Sequence, residues 1–205
     1  MEESKKKFIL GLVEENAFYV GKEPKELYSG GYSHIFVNPM NYIIKPENLE
    51  FVTENLIQII KSFDLSDYKL ASGPSVGGYV LTTTLALKLN KRFLFKTDTE
   101  HHALKTDIHG NVEKDDNIIL IDDVVTTGKT FVEKMAKPFR EMGARVNYAV
   151  VPVVSHLSCL KYMKANDIEC HYLVSEREII DTLWDNFTDE EKKIIEDEIK
   201  EVPID

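Results

Sequence analysis

The stretch IILIDDVVTTGKT, residues 118–130, joins four apolar residues to two adjacent acids and then to a threonine-rich segment that ends in Gly-Lys-Thr. Four consecutive apolar residues predict a buried strand, and the polar segment after them predicts a turn that leads into a helix. A run that is apolar at every position is typical of a strand covered on both faces, as in a parallel sheet. The stretch therefore predicts an α/β fold.

The alternation of strands and helices continues on both sides of this stretch, from about residue 47 to residue 181. The predicted helices cover residues 47–63, 79–89, 130–143 and 157–167, and the predicted strands cover residues 68–72, 92–95, 117–121, 146–154 and 170–174. Pro138 is expected to kink the third of these helices, and Gly143 to end it. We expect a doubly wound α/β fold with a mostly parallel sheet of about five strands, which binds its ligand beyond the carboxyl ends of the strands.

A length of 205 residues predicts a single domain, residues 1–205, whose α/β core spans residues 47–181. Residues 1–46, which we call the hood, contain a predicted amphipathic helix and then YSGGYSHIFVNPMNYII (28–44), which predicts two short strands around a turn at Pro39. Residues 182–205 contain an acidic C-terminal helix, whose start is indicated by the capping-box spacing of Thr188 and Glu191. We interpret that helix as a solvated surface element.

The composition excludes several classes of protein. A net charge of −10 argues against nucleic-acid binding, and the densest basic run, residues 5–7, is interpreted as a solvated helix turn. The apolar run FILGLV (8–13) is too short for a signal peptide or a membrane span. Cys159 and Cys170 lack CxxC spacing and are interpreted as reduced thiols. We therefore expect a cytoplasmic protein that binds neither nucleic acid nor a membrane.

The ending Gly-Lys-Thr also occurs in P-loops, but a P-loop needs a glycine five residues before Gly128, where this chain has Asp123. A carboxylate at that position would repel the phosphates. Asp122 and Asp123, which we call the acid pair, instead suit a vicinal diol such as the 2- and 3-hydroxyls of a ribose, because carboxylates accept hydrogen bonds. In the alternative interpretation, Asp122 is a turn former and Thr127 is a helix cap.

Residues 126–130, the phosphate loop, are expected to hold a monophosphate on the same ribose, because the N-terminus of a helix attracts anions. The residues concerned are Thr126, Thr127, Gly128, Lys129 and Thr130. A second anion site is indicated by SGPSVGG (72–78), the glycine turn, since glycines let backbone N–H groups approach an anion closely. A plain strand-to-helix turn is the alternative for the glycine turn.

These motifs resemble those of a known family. IILIDDVVTTGKT resembles the phosphoribosyl pyrophosphate signature of type I phosphoribosyltransferases. The resemblance implies a five-stranded parallel core, phosphoribosyl pyrophosphate bound with Mg²⁺, and displacement of pyrophosphate by a nitrogenous base. It assigns the ribose hydroxyls to the acid pair and the 5-phosphate to the phosphate loop. It assigns the pyrophosphate to the glycine turn, which consists of Ser72, Gly73, Pro74, Ser75, Val76, Gly77 and Gly78.

A narrower resemblance covers the chain up to about residue 181. LYSGGYSHIFVN (27–38), GPSVGGYVLTTTLAL (73–87) and HYLVSEREII (171–180) are similar to segments of orotate phosphoribosyltransferases. This similarity implies a pyrimidine-type, orotate-like base that lies near Phe36 and Val37. It also implies a homodimer, in which a mobile loop reaches the neighbour's site.

The chain departs from that subfamily where cations are expected. Tyr28 stands in place of a lysine, Ser155 or His156 in place of an arginine, and Thr97 and Asp98 in place of an Arg-Lys pair. Residues 96–110, the lid segment, would close over the site. The remaining candidates for catalysis are Lys105, His101 and His102, with Lys96 as a further cation and His156 as a candidate base-binding residue.

The departures leave three hypotheses open. The first is an orotate-like phosphoribosyltransferase. The second is a regulatory protein that binds phosphoribosyl pyrophosphate but has lost catalysis, since a neutral histidine is a poor replacement for an arginine. The third is a transferase for a different, uncharged base. A metal site at His101 and His102 has no third ligand at suitable spacing, so no direct protein ligand to a metal is predicted.

Overall fold

The structure, a computed structural model, describes residues 2–27, 31–101 and 106–201, with His101 and Glu201 described by their backbone alone. Its strands are β1 (Phe18–Glu26), β2 (Tyr32–Val37), β3 (Lys69–Ser72), β4 (Phe93–His101), β5 (Thr106–His109), β6 (Asn117–Ile121), β7 (Val124–Val125), β8 (Arg145–Val154) and β9 (Glu169–Ser175). Its α-helices are α1 (Glu2–Glu14), α2 (Pro39–Ile43), α3 (Pro46–Lys61), α4 (Val76–Leu89), α5 (Lys137–Glu141), α6 (Ser158–Lys164), α7 (Glu176–Leu183) and α8 (Asp189–Glu201).

The central sheet is mostly parallel. Strand β3 pairs in parallel with β4 and β6, and β8 pairs in parallel with β6, β7 and β9. Because β9 occupies one edge of β8 along residues 148–154, the short β7 lies on the other edge, where it continues the line of β6. The acid pair occupies the interruption between β6 and β7.

The predicted architecture is confirmed, but the strand count is larger than predicted. The described part of the sheet has seven strands rather than about five. One added strand is the two-residue β7, and the other is β5, which pairs antiparallel with β4 inside the predicted lid segment. Neither strand carries the continuous apolar run from which the other strands were predicted.

Hydrophobic layers cover both faces of the sheet. Ile119 and Ile121 of β6 pack into one cluster with α1, α3 and α4, whereas Ile118 and Leu120 pack into a second cluster on the opposite face. The second cluster includes residues of α5, α6 and a π-helix over Thr130–Ala136. Successive residues of a strand point to opposite faces, so a strand buried on both sides must be apolar at every position.

The predicted helix over residues 130–143 is divided into two parts. The π-helix spans Thr130–Ala136, and α5 follows from Lys137. Pro138, the second residue of α5, has no N–H group and cannot bond the carbonyl of Lys134 four residues earlier. The helix therefore changes its winding directly before the proline, and the kink expected at Pro138 stays a prediction.

The hood contains an antiparallel hairpin of β1 and β2. Strand β1 was not predicted, and the prediction of a strand after Pro39 is wrong, because α2 begins there with the proline in its first turn. Helix α8 packs on the hairpin, where Ile195 contacts Ile35 in a small cluster. Helix α1 buries Phe8 and Leu12 in the main core. These contacts support our proposal that hood, core (47–181) and C-terminal region (182–205) belong to one domain.

Candidate active site

The acid pair lies at the carboxyl end of β6, where the sheet leaves room for a ligand. Asp122 is only 6% exposed, and Asp123 is half-buried. The backbone N–H of Asp123 donates a hydrogen bond of 2.9 Å to Oδ1 of Asp122. This bond fixes the carboxylate of Asp122 against the backbone of Asp123.

The electrostatics of the acid pair favour a ligand that donates hydrogen bonds. Burial raises the pKa of Asp122 well above its ordinary value, and the neighbouring charge of Asp123 raises it further. Burial also raises the pKa of Asp123, although a hydrogen bond from Ser75 opposes the shift. Hydroxyl groups that donate to the carboxylates would restore the solvation that burial removes, as a ribose diol can do.

The glycine turn packs directly onto the acid pair. A Cβ atom on Gly77 would overlap the carboxylate of Asp123, and a Cβ atom on Gly78 would lie 2.7 Å from Oδ1 of Asp122. Ser75 lies in the same contact, since its Oγ donates to Oδ1 of Asp123 at 3.4 Å. Glycine is thus required here for close approach to carboxylates, a reason that differs from the anion contact that the sequence suggested.

The same turn presents the N-terminus of α4 to the site. The side chain of Ser75 caps the helix by accepting a hydrogen bond of 3.0 Å from the N–H of Gly78. The N–H groups of Val76 and Gly77 precede that capped position in the first turn, where an α-helix has no internal acceptor for them. An anion can therefore bind at this end of α4.

The phosphate loop connects β7 to the π-helix. Gly128 adopts a φ of +77°, and a Cβ atom on it would lie 2.7 Å from Cγ of Met163. Both the backbone angle and the contact favour glycine. The backbone N–H of Lys129 donates to Oγ1 of Thr127 at 3.4 Å, while the side chain of Lys129 is exposed. The loop thus directs backbone N–H groups and hydroxyls to the end of the π-helix.

A cavity of about 320 Å³, the first cavity, brings the three segments together. It is lined by Pro74, Ser75, Val76, Asp122, Asp123, Val124, Val125, Thr126, Thr127, Gly128, Thr130 and Phe131. The other predicted residues of these segments do not line it. Ser72 is fully buried, the three remaining glycines support the walls, and Lys129 lines a neighbouring cavity.

That neighbouring cavity, the hood cavity, has a volume of about 460 Å³ and shares Thr126 and Thr127 with the first. Its further lining residues are Leu27, Gly31, Tyr32, Ser33, Lys129, His156, Ser158, Cys159, Tyr162 and Glu198. His156, a candidate base-binding residue, therefore lies beside the phosphate loop. Burial lowers the pKa of His156, and its Nδ1 atom has no hydrogen-bond partner within the described ranges.

The other two candidate base-binding residues do not line either cavity. Val37 is 5% exposed and packs in the main core. Phe36 is half-buried in β2, where it pairs with Tyr19 of β1. The residues of the hood that line the hood cavity are instead Leu27, Gly31, Tyr32 and Ser33.

The lid segment is only partly described. Lys105 and His102 lie outside the described residues, and the side chain of His101 is likewise not described. Lys96 forms an ion pair with Asp107 on the adjacent strand. Oδ1 of Asp98 lies 4.0 Å from Nζ of Lys134 in the π-helix. The described part of the lid segment is thus a two-stranded ribbon, and Lys96 pairs with an acid on the other strand of this ribbon.

Glu198 is the site residue that the sequence did not indicate. Helix α8 was interpreted as a solvated surface element, yet its Glu198 accepts hydrogen bonds from Oγ of Ser33 at 2.5 Å and from the N–H of His34 at 2.9 Å. The only local signal was the spacing of Ile195 and Ile199, which predicts one buried face next to Glu198.

The described residues contain neither a metal-binding cluster nor a membrane-spanning helix. No group of three or more His, Cys, Asp or Glu side chains is placed to hold a metal ion within these ranges. Among the described helices, none has the length and apolar character needed to span a membrane.

Two orotate phosphoribosyltransferases are similar to this chain in sequence. The chain is 34% identical over 122 residues to the orotate phosphoribosyltransferase of Pyrococcus horikoshii, a match that covers 58% of this chain and 64% of that protein. It is 27% identical over 155 residues to the orotate phosphoribosyltransferase of Thermococcus gammatolerans, covering 75% and 79%. The chain thus spans slightly less than two thirds of the first of these relatives.

Solved structures share the fold. The orotate phosphoribosyltransferase from Aeropyrum pernix superposes with a TM-score of 0.72 at 20% identity, covering 86% of this chain and 98% of that one. The UMP synthase of Leishmania donovani superposes with a TM-score of 0.78 at 18% identity, covering 93% of this chain and 41% of that one. At these identities the likeness concerns the fold alone.

A family profile described as PRTase-CE matches residues 2–202, nearly the whole chain. The acid pair, the phosphate loop and the glycine turn agree with that match, because they surround one cavity at the carboxyl ends of the strands. The chain belongs to the PRTase-CE family, and it is similar in sequence and in fold to orotate phosphoribosyltransferases.

Proposed function

We propose that this protein transfers the ribose 5-phosphate group of phosphoribosyl pyrophosphate to a pyrimidine-type base and releases pyrophosphate. The observation that carries this proposal is the first cavity, in which the acid pair lies between the glycine turn and the phosphate loop. The relatives named orotate phosphoribosyltransferase support the choice of a pyrimidine-type base.

Each segment would bind one part of the donor. The acid pair would accept hydrogen bonds from the ribose hydroxyls, and the phosphate loop would donate N–H and hydroxyl groups to the 5-phosphate. The N-terminus of α4 would bind the pyrophosphate, since the first-turn N–H groups of Val76 and Gly77 have no acceptor within the helix. With its ribose, 5-phosphate and pyrophosphate bound by these three segments, the donor would have its ribose C1 directed towards the hood cavity.

The transfer itself is a displacement at C1. A ring nitrogen of the base forms a bond to C1 with its lone pair, and the bond between C1 and the pyrophosphate oxygen breaks with its electron pair moving to pyrophosphate. The proton of the attacking nitrogen passes to water. Positive charge develops on the ribose as the bond breaks, and the carboxylates of the acid pair would stabilise it electrostatically.

Mg²⁺ is the proposed cofactor, and the donor atoms of the site suit it. The carboxylate oxygens of Asp122 and Asp123 and the hydroxyl of Ser75 are hard oxygen donors, which Mg²⁺ prefers. Burial raises the pKa values of both carboxyl groups. A nearby cation would oppose this shift and favour their charged forms. Bound Mg²⁺ would neutralise charge on the pyrophosphate. These carboxylates would hold it through the ligand or through water.

A second candidate function is binding of phosphoribosyl pyrophosphate without transfer. The observation that favours it is the ion pair of Lys96 with Asp107. Because Asp107 already pairs with Lys96, this cation of the lid segment is engaged by the protein and not by the leaving pyrophosphate. Residues 96–110 contain no arginine. A site without cations at the leaving group can bind its ligand and still react slowly, since each missing contact costs about 2–4 kcal/mol of transition-state stabilisation.

The test measures binding and turnover separately. Calorimetric titration with phosphoribosyl pyrophosphate and Mg²⁺ reports binding, and release of pyrophosphate in the presence of a panel of bases reports transfer. We expect binding that Asp123→Asn weakens at least tenfold and that Asp185→Asn, an exposed control, leaves unchanged. Absence of binding would rule out both candidates. Binding without pyrophosphate release on any base would leave only the binding protein.

We also propose a homodimer in the cytoplasm. The dimer rests on the resemblance to enzymes whose mobile loop reaches the neighbour's site, and light scattering of the purified protein tests it. The location rests on composition and on the thiols of Cys159 and Cys170, which are unpaired in the structure.

A further inference from the structure

We propose that the hood cavity takes an uncharged base that donates hydrogen bonds, such as one with an exocyclic amino group, and that Glu198 discriminates against an anionic base such as orotate. This inference rests on the transferase function proposed above and specifies its acceptor. It assigns a role to α8, the acidic C-terminal helix.

The position of the hood cavity suits the acceptor base. It adjoins the first cavity through Thr126 and Thr127, so a ligand in it lies next to a ribose bound by the acid pair. Tyr32 and Ser33 of the hood form one wall, and His156, just beyond the end of β8, forms another. A base enclosed between these walls can present a ring nitrogen to ribose C1.

The carboxylate of Glu198 is held rigidly in this cavity. One oxygen accepts a hydrogen bond from Oγ of Ser33 and the other accepts one from the N–H of His34. Each carboxylate oxygen can accept more than one hydrogen bond, so acceptor capacity remains for a ligand. A ligand amino group can therefore bind Glu198 without breaking its contacts to the hood.

The cavity offers little compensation for a second negative charge. Among its described lining residues, Lys129 alone is a permanent cation, and it belongs to the phosphate loop, where a 5-phosphate would bind. Burial lowers the pKa of His156 despite the opposing effect of Glu198, and this favours the neutral imidazole.

A neutral imidazole offers one donor and one acceptor, which suits an uncharged base but cannot neutralise a carboxylate. The Nδ1 atom of His156 is buried and has no hydrogen-bond partner within the described ranges. Like charges placed together in an enclosed site cost several kcal/mol, on the order of a hundredfold or more in affinity. Glu198 thus acts by repelling the wrong base as well as by binding the right one.

The test is a base panel with matched variants. Pyrophosphate release from phosphoribosyl pyrophosphate and Mg²⁺ is measured with orotate, uracil and cytosine for the wild type, Glu198→Gln and Glu196→Gln. Glutamine at position 198 keeps an acceptor for the hood but removes the charge, and Glu196 is an exposed residue of the same helix. Equilibrium binding of each base to protein saturated with ribose 5-phosphate is measured in parallel.

We expect the wild type to prefer cytosine, the pyrimidine that carries an exocyclic amino group, over orotate by at least tenfold in kcat/KM. Glu198→Gln should shift that ratio towards orotate by at least tenfold, and Glu196→Gln should not change it. If no base turns over, the same preferences must be found in the binding measurements. An orotate preference of the wild type, or a ratio that Glu198→Gln leaves unchanged, would overturn the inference while the transferase function stands.

Failure of the proposed function has a different signature, because phosphoribosyl pyrophosphate would then not bind at all in calorimetry. Absence of binding by every base would also overturn the inference. Circular dichroism of Glu198→Gln separates a loss of charge from a loss of structure, and the wild-type panel decides the preference even if that variant does not fold.

Discussion

The backbone of Gly77 packs so closely against the carboxylate of Asp123 that no space is left for a methyl group at position 77. We predict that Gly77→Ala displaces Asp123 and lowers the affinity for phosphoribosyl pyrophosphate at least tenfold. Overpacking of this kind also costs about 1–3 kcal/mol of stability. Calorimetric titration and urea unfolding measure the two effects.

The control for this substitution is Leu87→Ala in the same helix, at a side chain that is 81% exposed. It should leave the affinity unchanged. Equal affinities of Gly77→Ala and the wild type would show that the contact between Gly77 and Asp123 does not position the acid pair.

The acid pair is expected to reduce the stability of the ligand-free protein. Burial and the charge of Asp123 both raise the pKa of Asp122, so its ionised form destabilises the fold at neutral pH. Asp122→Asn removes that charge and can still accept the hydrogen bond from the N–H of Asp123. We predict that Tm of the free variant rises, with a gain of about 1–2 kcal/mol in the free energy of unfolding.

The same variant should lose the increase in Tm that phosphoribosyl pyrophosphate and Mg²⁺ give to the wild type, since a ligand stabilises only the state that binds it. Scanning calorimetry with and without ligand measures both effects. If ligand-free Asp122→Asn is less stable than the ligand-free wild type, the ionised acid pair does not destabilise the fold.

A third prediction concerns pH. Glu176 is 3% exposed, and burial raises its pKa from 4.5 to about 8, although a hydrogen bond with Ser155 opposes the shift. Because the pKa is higher in the folded state, the stabilising contribution of the protonated group is complete below about pH 4.5. It is lost as the pH rises through about 8.

Glu176→Gln has no such loss. The difference in free energy of unfolding between this variant and the wild type should therefore grow in the variant's favour by about 2 kcal/mol from pH 6 to pH 9. The acid pair titrates in the same direction in both proteins and cancels in the difference. Urea unfolding at the two pH values measures it, and a difference independent of pH would contradict the assignment of the shift to Glu176.

The parts of the fold that could be predicted are those whose signal is local. Strand β6 has the predicted bounds, because its residues are buried on both faces and are therefore apolar in succession. Strand β1 has the sequence FYVGKEPKE, with a glycine, a proline and four charged residues, and it forms because β2 pairs with it. Such cross-strand pairing depends on the partner strand and leaves no local signal in β1 itself.

The same distinction holds for the site. The acid pair and the phosphate loop form one continuous string of sequence, so their chemistry could be inferred from residue types and spacing. Glu198 reaches the hood cavity from a helix 165 residues after Ser33, its partner, and charge patterning alone cannot distinguish it from its exposed neighbour Glu196. The glycine turn lies between these cases, since its position was evident but its contact with the acid pair was not.

The last prediction separates backbone strain from ligand contact in the phosphate loop. Gly128 and Gly143 both have positive φ angles, +77° and +93°, so alanine at either position should cost about 1–2 kcal/mol of stability. Only Gly128 lies in the first cavity, and a methyl group there would also contact Met163. We predict that Gly128→Ala weakens binding of phosphoribosyl pyrophosphate at least tenfold, whereas Gly143→Ala lowers Tm to a similar extent and leaves the affinity unchanged. Calorimetric titration of both variants below their Tm measures this, and equal affinities would exclude the loop conformation at Gly128 as a determinant of phosphate binding.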